Sequence, residues 1–481
     1  MKRLISITIF LSLTSILFFC NSNQGASITE EEKIDSFVTI NMIFAGDIMG
    51  HQRQIDAAYC EETKTYDYVN CFKYVKPVLT EYDLSFGNLE VTLPGKPPYE
   101  GYPQFKSPDA LAYALKDAGF NVMVTANNHS NDGYGSALIH TIDTLRGLGF
   151  YQTGTFKNME ERDSLYPLIF EKNSFRIALL NYTYGTNGIP DEAPTFVNLI
   201  DRDLMIADIQ KAKEFDPDII IAIMHWGDEY KLIENSYQRN NAQILAEHGV
   251  DLIIGAHPHV IQPVKYTHAN EADSVLTVFS LGNYISNQFR PNTDGGMMFE
   301  VSYRKNIFTN EVIKENYHHH IVWRYRSSRS DAHPHGQYFI IPVAKYEAGL
   351  IEDLNMPEKD IVAMNDFTKR MRKHFSETSV STERLFKAPV ETKISKLTGD
   401  LVSSDAPLFH IQVLATSNSA IQTFNDFFID ILELKEGGFF KYITNGFESR
   451  TEAERILHQV HELGYSDAFI VKYFKNKRVI D

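Results

Sequence analysis

The chain has 481 residues, with 62 acidic side chains against 46 basic ones and a formal charge of −16. That length allows two or three domains around a sizeable core. The acidic balance, without any dense Lys/Arg run, excludes broad nucleic-acid binding, which needs a basic face against the phosphates, and disfavours adsorption to an anionic membrane.

The N-terminus reads as an export signal. Lys2 and Arg3 precede an apolar run, Leu4 to Phe19, that is short for a transmembrane helix and ends at Cys20 before a polar stretch. A cysteine at that junction is similar to a bacterial lipoprotein acceptor, although the preceding residue is Phe19 rather than a small one, so residues 1–20 are read as a signal peptide with Cys20 as lipidation site. Plain cleavage and retention as an anchor are the alternatives. Residues 21–36 form a linker. Cys60 and Cys71 would meet an oxidising compartment, where they pair in a disulfide or persist as two buried thiols.

From residue 37 to about 300, strand-like and helix-like segments alternate. Strands are expected at 38–45, 84–88, 121–125, 175–182, 219–224, 251–254 and 275–280, with helices over 107–118, 201–214 and 237–248. Ser107 and Pro108 supply an N-cap and a first-turn proline, and Gly119 a stop. This alternation predicts an α/β domain. Residues 297–303, 320–325 and 340–343 alternate as antiparallel strands and complete a domain spanning 37–345. Residues 346–406, with a helix over 358–374 and a Ser/Thr-rich stretch, are read as a connector. A new pattern from Pro407 gives a small α+β domain, 407–481, with strands at 409–414 and 468–471 and a helix over 451–463.

The polar motifs fall where the strands end: Gly46-Asp47, Gly87-Asn88-Leu89-Glu90, Ala126-Asn127-Asn128-His129, His225-Trp226-Gly227 and Gly255-Ala256-His257-Pro258-His259. In open α/β sheets, ligands bind outside the carboxyl ends of the strands, so five strand ends converge on one edge. Carboxylate, amide and imidazole together suit a divalent metal ion, manganese, iron or zinc, in one or two sites. The metal ligands are read as Asp47, Asn88, Glu90, Asn128, His225, His257 and His259, the last two placed on one side of a strand or its turn. Tyr184, Trp226, Tyr230 and Tyr284 flank these motifs as a groove lining or as packing aromatics. Asp132, Trp226 and Tyr230 are taken as substrate-binding. His318, His319 and His320 form a run followed by His333 and His335, but strand alternation sends neighbours to opposite faces and argues against a joint metal site.

The same motifs, with Asp132-Gly133 and Phe279-Ser280-Leu281-Gly282-Asn283-Tyr284, resemble those of the capsule synthesis protein CapA family, in order over residues 40–345. The resemblance implies a role with poly-γ-glutamate or another cell-surface polymer. It also implies the four-layer αββα sandwich of the metallophosphoesterases, with Asp47 as a first-strand ligand, Asn88 or Glu90 in place of a bridging Asp, and His129 as general acid. Asp47 and His129 are thereby the catalytic pair. Two departures stand out. The first strand lacks Asp-x-His, with His51 four residues after Asp47, and the second carries Gly-Asn for Gly-Asp, which lowers the charge available for two cations. The C-terminal segment resembles a SPOR domain, which implies peptidoglycan as a partner. The chain is thus expected to be exported to the cell envelope, with membrane contact through a lipid anchor, as a metal-dependent hydrolase or transferase or as a non-catalytic polymer- or protein-binding component.

Overall fold

The computed structural model describes residues 37–386 except 271–272, 332 and 352, and the C-terminal stretches 407–416, 431–436, 439–444, 446–447, 449–462, 465, 467–474 and 477–479. The signal, Cys20, the linker and most of the Ser/Thr-rich stretch lie outside the described residues.

Two sheets carry the main domain. Strands β1 (Phe37–Ile48), β2 (Leu84–Leu89), β3 (Val122–Val124) and β4 (Tyr151–Thr153) run parallel in one half of the first sheet. The second sheet has β5 (Leu168–Lys172), β6 (Phe175–Thr183), β7 (Ile219–His225), β8 (Leu252–Ala256), β9 (Ile261–His268) and β10 (Ser274–Leu281), in the order β9-β10-β8-β7-β6-β5. Its four central strands are parallel and its two edges antiparallel. Strands β11 (Gly295–Asn306), β12 (Val312–Arg326) and β13 (Tyr338–Pro342) then return to the first sheet as an antiparallel extension beside β1.

Alternation along the strands explains the layers. In β1, Met42 and Phe44 face the second sheet, meeting Ile177 and Leu179 of β6 and Ile221 and Ile223 of β7 in one core. Their neighbours Ile43 and Ala45 face outward, onto Leu111 and Leu115 of helix α1 (Ala110–Asp117). In β6, Ala178 and Leu180 face the other way, onto Met205 and Ile209 of α2 (Arg202–Lys213) and Ala242 and Leu245 of α3 (Ser236–Glu247). A strand buried on both faces reads as a nearly continuous apolar run, as the Ile219-Ile220-Ile221-Ala222-Ile223 stretch of β7 does. The result is the helix–sheet–sheet–helix sandwich expected. Helix α1 starts at Ala110, three residues after Ser107, whose buried hydroxyl has no hydrogen-bond partner.

The helix expected over 358–374 runs from Glu358 to Thr378 and is no connector. Its Met364, Phe367, Met371 and Phe375 enter the core between the sheets, and Thr382–Glu383 adds a short parallel strand against His318 and His319. Burying that apolar stripe ties residues 358–383 to the main domain.

The described C-terminal residues form a five-stranded antiparallel sheet. One face carries Ile411, Val413, Ile431 and Tyr442 together with Val460 of the helix Arg450–Glu462. No helix among the described residues is long and apolar enough to cross a membrane.

Candidate metal centre

The motif side chains meet at the carboxyl ends of β1, β2, β7 and β8. A register shift between Ala45 and Asp47 breaks the pairing of β1 with β2, and such a bulge re-aims the next side chain. Gly46 makes this possible: a Cβ there would lie 2.0 Å from the carbonyl oxygen of Gly282, while the Asp47 amide donates to that same oxygen at 3.0 Å. Asp47, fully buried, is thereby turned into the space between the sheets.

Asp47 is gripped from two sides. His259 Nδ1 donates to its Oδ2 at 3.1 Å, and Asn88 Nδ2 donates to its Oδ1 at 2.8 Å. Burial works against ionisation, yet these hydrogen bonds and the adjacent imidazoles hold the Asp47 carboxyl below its ordinary range. Asn88 Oδ1 in turn accepts from Asn127 Nδ2 at 3.3 Å, and Asn127 also reaches Leu89 O and, through its own Oδ1, the amide of His129. Asn127 is thus a clamp for two motifs, a role that sequence reading did not assign.

Glu90 is the centre of the cluster. It is fully buried, and neither carboxylate oxygen has a hydrogen-bond partner. Its Oε1 lies 3.5 Å from His225 Nε2 and 3.8 Å from His259 Nε2. In the His259 tautomer that carries its only proton on Nδ1, toward Asp47, Nε2 presents a lone pair and two acceptors face one another. The buried Nδ1 of His257 is also unpartnered. An isolated carboxylate buried this way costs several kcal/mol unless it is protonated or meets a cation, by order of magnitude. Burial first, then the charge of Asp47, pushes Glu90 well above the usual carboxylate range. Two ligands sharing one tetrahedral ion at about 2.1 Å stand roughly 3.4 Å apart, close to these separations and longer than a good hydrogen bond. Two triads have ligand atoms within 4.8 Å of one another, Glu90-His257-His259 and Asp47-Glu90-His225, with Glu90 common to both. The donor set therefore fits a divalent cation.

Two of the imidazoles, His225 and His257, are held in their neutral form. Burial lowers His225 to about 3 and His257 well below its ordinary value, which keeps lone pairs available for a metal. His225 Nε2 also lies 2.8 Å from Asn128 Oδ1, the amide side chain next to the site. His257 and His259 lie beyond the end of β8 with φ of +98° and +59°. They are aimed by left-handed backbone in the turn that follows the strand, a conformation disfavoured for residues with a Cβ.

His129 stands beside this cluster. Its Nδ1 donates to Asp132 Oδ2 at 2.6 Å, and the same oxygen accepts from the Phe105 amide at 2.6 Å. Phe105 packs edge-on against both His129 and His51, at 4.6 and 4.9 Å between centroids. Asp132 is buried and committed to these two donors, so it positions His129 and does not face substrate, contrary to the sequence expectation. Trp226 is likewise corrected: it is fully buried, donates to Phe279 O at 3.0 Å and packs in the core beneath α3. His225 faces the site, so its chain neighbour faces away. Tyr284 is buried on the outer side of the first sheet. Tyr230 does reach the rim, 6.1 Å from the His259 ring, as does Tyr184, 4.6 Å from His257.

His51 precedes the short helix Gln52–Ala58, and its Nδ1 accepts from the Asn287 amide at 3.2 Å. Cys60 and Cys71 are free thiols. The expected disulfide is not formed: Cys60 ends a small hairpin facing solvent, whereas Cys71 packs against the outer core, where burial raises its thiol to about 12. In the histidine run, His319 turns inward to Ser381 Oγ at 2.9 Å, and His320 turns outward to Glu300 at 2.9 Å. Among the described residues no candidate metal triad includes either.

The PGA biosynthesis protein CapA of Bacillus subtilis (strain 168) is 26% identical over 304 residues, covering 62% of this chain and 77% of that protein. The capsule biosynthesis protein CapA of Bacillus anthracis is 27% identical over 280 residues, covering 56% of this chain and 64% of the relative. Among solved structures, a phosphatase of Mycoplasma pneumoniae covers 59% of this chain and 94% of its own at 17% identity and a TM-score of 0.33. A protein of Thermus thermophilus covers 58% and 99% at 10% identity and a TM-score of 0.31. The family described as bacterial capsule synthesis protein PGA_cap matches residues 41–288, just over half of the chain, and the chain belongs to that family.

Proposed function

We propose that the main domain is a metal-dependent hydrolase or transferase acting in synthesis, export or remodelling of a cell-surface polymer, poly-γ-glutamate or another. It would work at the cell envelope, attached through Cys20 and held near peptidoglycan by the C-terminal domain. The observation that carries the catalytic reading is Glu90, buried without a hydrogen bond and faced by the free Nε2 of His259 and by Asp47, His225 and His257.

Asp47, Glu90, His225, His257 and His259 would hold the cation, with Asn128 beside them and Asn88 bracing Asp47 through its amide. A divalent ion there supplies Lewis acidity toward the substrate oxygen and toward water. The chain's own contribution is orientation and proton transfer. The Asp132 carboxylate keeps a proton on His129 Nδ1, leaving Nε2 to receive or deliver one at the leaving group. Phe105 seals one side of that imidazole from solvent. Tyr184 and Tyr230 form the rim against which a chain segment would lie.

Elemental analysis of the purified protein tests this reading. About one or two divalent ions per chain are expected, lost in Asp47→Ala and His257→Ala; a protein that binds none would end it. The C-terminal role is tested with purified sacculi: the full chain should be retained, and a chain ending at residue 406 should not. Equal retention of both would remove peptidoglycan as its partner.

A further inference from the structure

A second polar cavity, about 290 Å³, opens along the antiparallel edge of the first sheet. Trp323, Arg324, Arg326, Arg329, Lys359 and Asp360 line it. Four cations thus face one carboxylate in a chain whose formal charge is −16. Neighbouring surface cations are neutralised: Lys73 by Asp353, Lys345 by Glu81, and Arg372 by Glu347 and Glu383. Among the described residues no ion pair within 4.0 Å engages Arg324, Arg326, Arg329 or Lys359. Asp294 beneath the cavity accepts from Trp323 Nε1 at 3.1 Å through Oδ2, and its charge offsets part of that of Arg324.

Arg324 is the deepest of the four. Its Nε is buried without a partner, and its Nη2 donates to Gln288 O at 3.2 Å. Arg326 hydrogen-bonds the Tyr338 side chain, whose hydroxyl donates to Asn287 Oδ1 at 2.6 Å.

Arg324 connects the cavity to a segment that also reaches the rim of the metal centre. The segment Asn287–Arg290 follows the strand paired with Asp47. Its Asn287 amide donates to His51, and its Arg290 guanidinium sits 4.5 Å over the Tyr230 ring. One face of this segment therefore touches the site rim, and the other touches Arg324. Unpaired guanidinium groups in a concave site recognise oxyanions through paired N–H donors.

We infer that the Arg324-Arg326-Arg329-Lys359 cavity is an anion subsite, which holds a carboxylate or phosphate group of the polymer while an adjoining part lies at the metal centre. This rests on the proposed function for its polymer. Its anion-binding claim is tested without metal or turnover.

Trp323 is the reporter, since the only other tryptophan, Trp226, is fully buried elsewhere. The full chain, stripped with chelator, is titrated with glutarate and separately with inorganic phosphate while tryptophan emission is followed. Saturation by at least one anion below about 10 mM is expected, and the anion that saturates names the group. Arg326→Gln and Lys359→Gln, at the more open side of the cavity, should each weaken binding by about tenfold, as should high salt. Asp47→Asn should bind as the parent does. Saturation by neither anion, unchanged binding in both charge variants, or loss of binding in Asp47→Asn would overturn the inference. A protein free of metal would defeat the proposed function and leave this titration readable.

Discussion

Replacing Glu90 by Gln isolates the central claim, because metal-free and metal-loaded protein should respond in opposite directions. Without a cation, the buried Glu90 carboxyl faces Asp47 and the Nε2 lone pair of His259 with no hydrogen bond. Gln is neutral without having to take up a proton and offers an N–H donor to that nitrogen, so the chelated variant should be more stable by about 1–3 kcal/mol. With the cation present at about a thousand times its dissociation constant, the parent gains about 4 kcal/mol. For a domain of this size, that is roughly 8 °C in melting temperature at about 2 °C per kcal/mol. Glu90 belongs to both ligand triads, so the variant should lose most of that gain. Thermal melts with and without chelator should therefore cross: the parent melts higher with metal, the variant melts higher without it. A variant that melts below the parent in chelator, or a parent indifferent to chelator, would refute the reasoning.

Three further outcomes follow from particular contacts. His129→Ala should slow turnover by about 10²–10⁴-fold, and Asp132→Asn by about 10–100-fold with metal content unchanged; loss of metal in Asp132→Asn would show that it supports the ligands instead. Trp226→Phe should cost about 1–2 kcal/mol in denaturant unfolding by leaving Phe279 O and its packing short, without altering metal content; a rate change at constant stability would restore Trp226 to the substrate groove. Burial depresses His319 to about 3, so its neutral form contributes stability that is complete above the unfolded value near 6.5 and declines as pH falls toward 3. From pH 6.5 to 5 the loss is about 2 kcal/mol at about 1.4 kcal/mol per unit. His319→Gln, which keeps a partner for Ser381, should flatten that slope in urea unfolding, and an unchanged slope would show that other groups set it.

Much of the architecture was legible because strands buried on both faces leave long apolar runs that end at polar motifs. The helix Tyr134–Gly147 was overlooked, although Leu138, Ile142 and Leu145 recur at helical spacing and are buried. Residues 358–378 were taken as connector because their apolar stripe, Met364, Phe367, Met371 and Phe375, is sparse among charges. Only the gap between the two sheets shows what it covers. The mis-assigned substrate residues share one cause. Sequence proximity to a motif says nothing about which way a side chain turns, whereas period-two alternation after His225 already sends Trp226 to the opposite face.

The second strand carries the most informative divergence. Asn in place of an acid at position 88 implied a site short of negative charge. In the structure Asn88 and Glu90 are two residues apart at the end of one strand, so both side chains turn toward Asp47. Asn88 spends its amide on Asp47, which a carboxylate could not do without repelling it. Glu90, with a longer side chain set one pleat further along, brings its carboxylate between His225 and His259. The acid of the second strand thus sits at Glu90, and the neutral amide of Asn88 is the brace that lets two acidic side chains share one buried site. Asn88→Asp should therefore weaken the centre: a third carboxylate beside Asp47 loses the Nδ2 donor and adds like charge, at about 1–3 kcal/mol. Metal titration of that variant reads the result directly, and tighter binding than the parent would show that the site was short of charge after all.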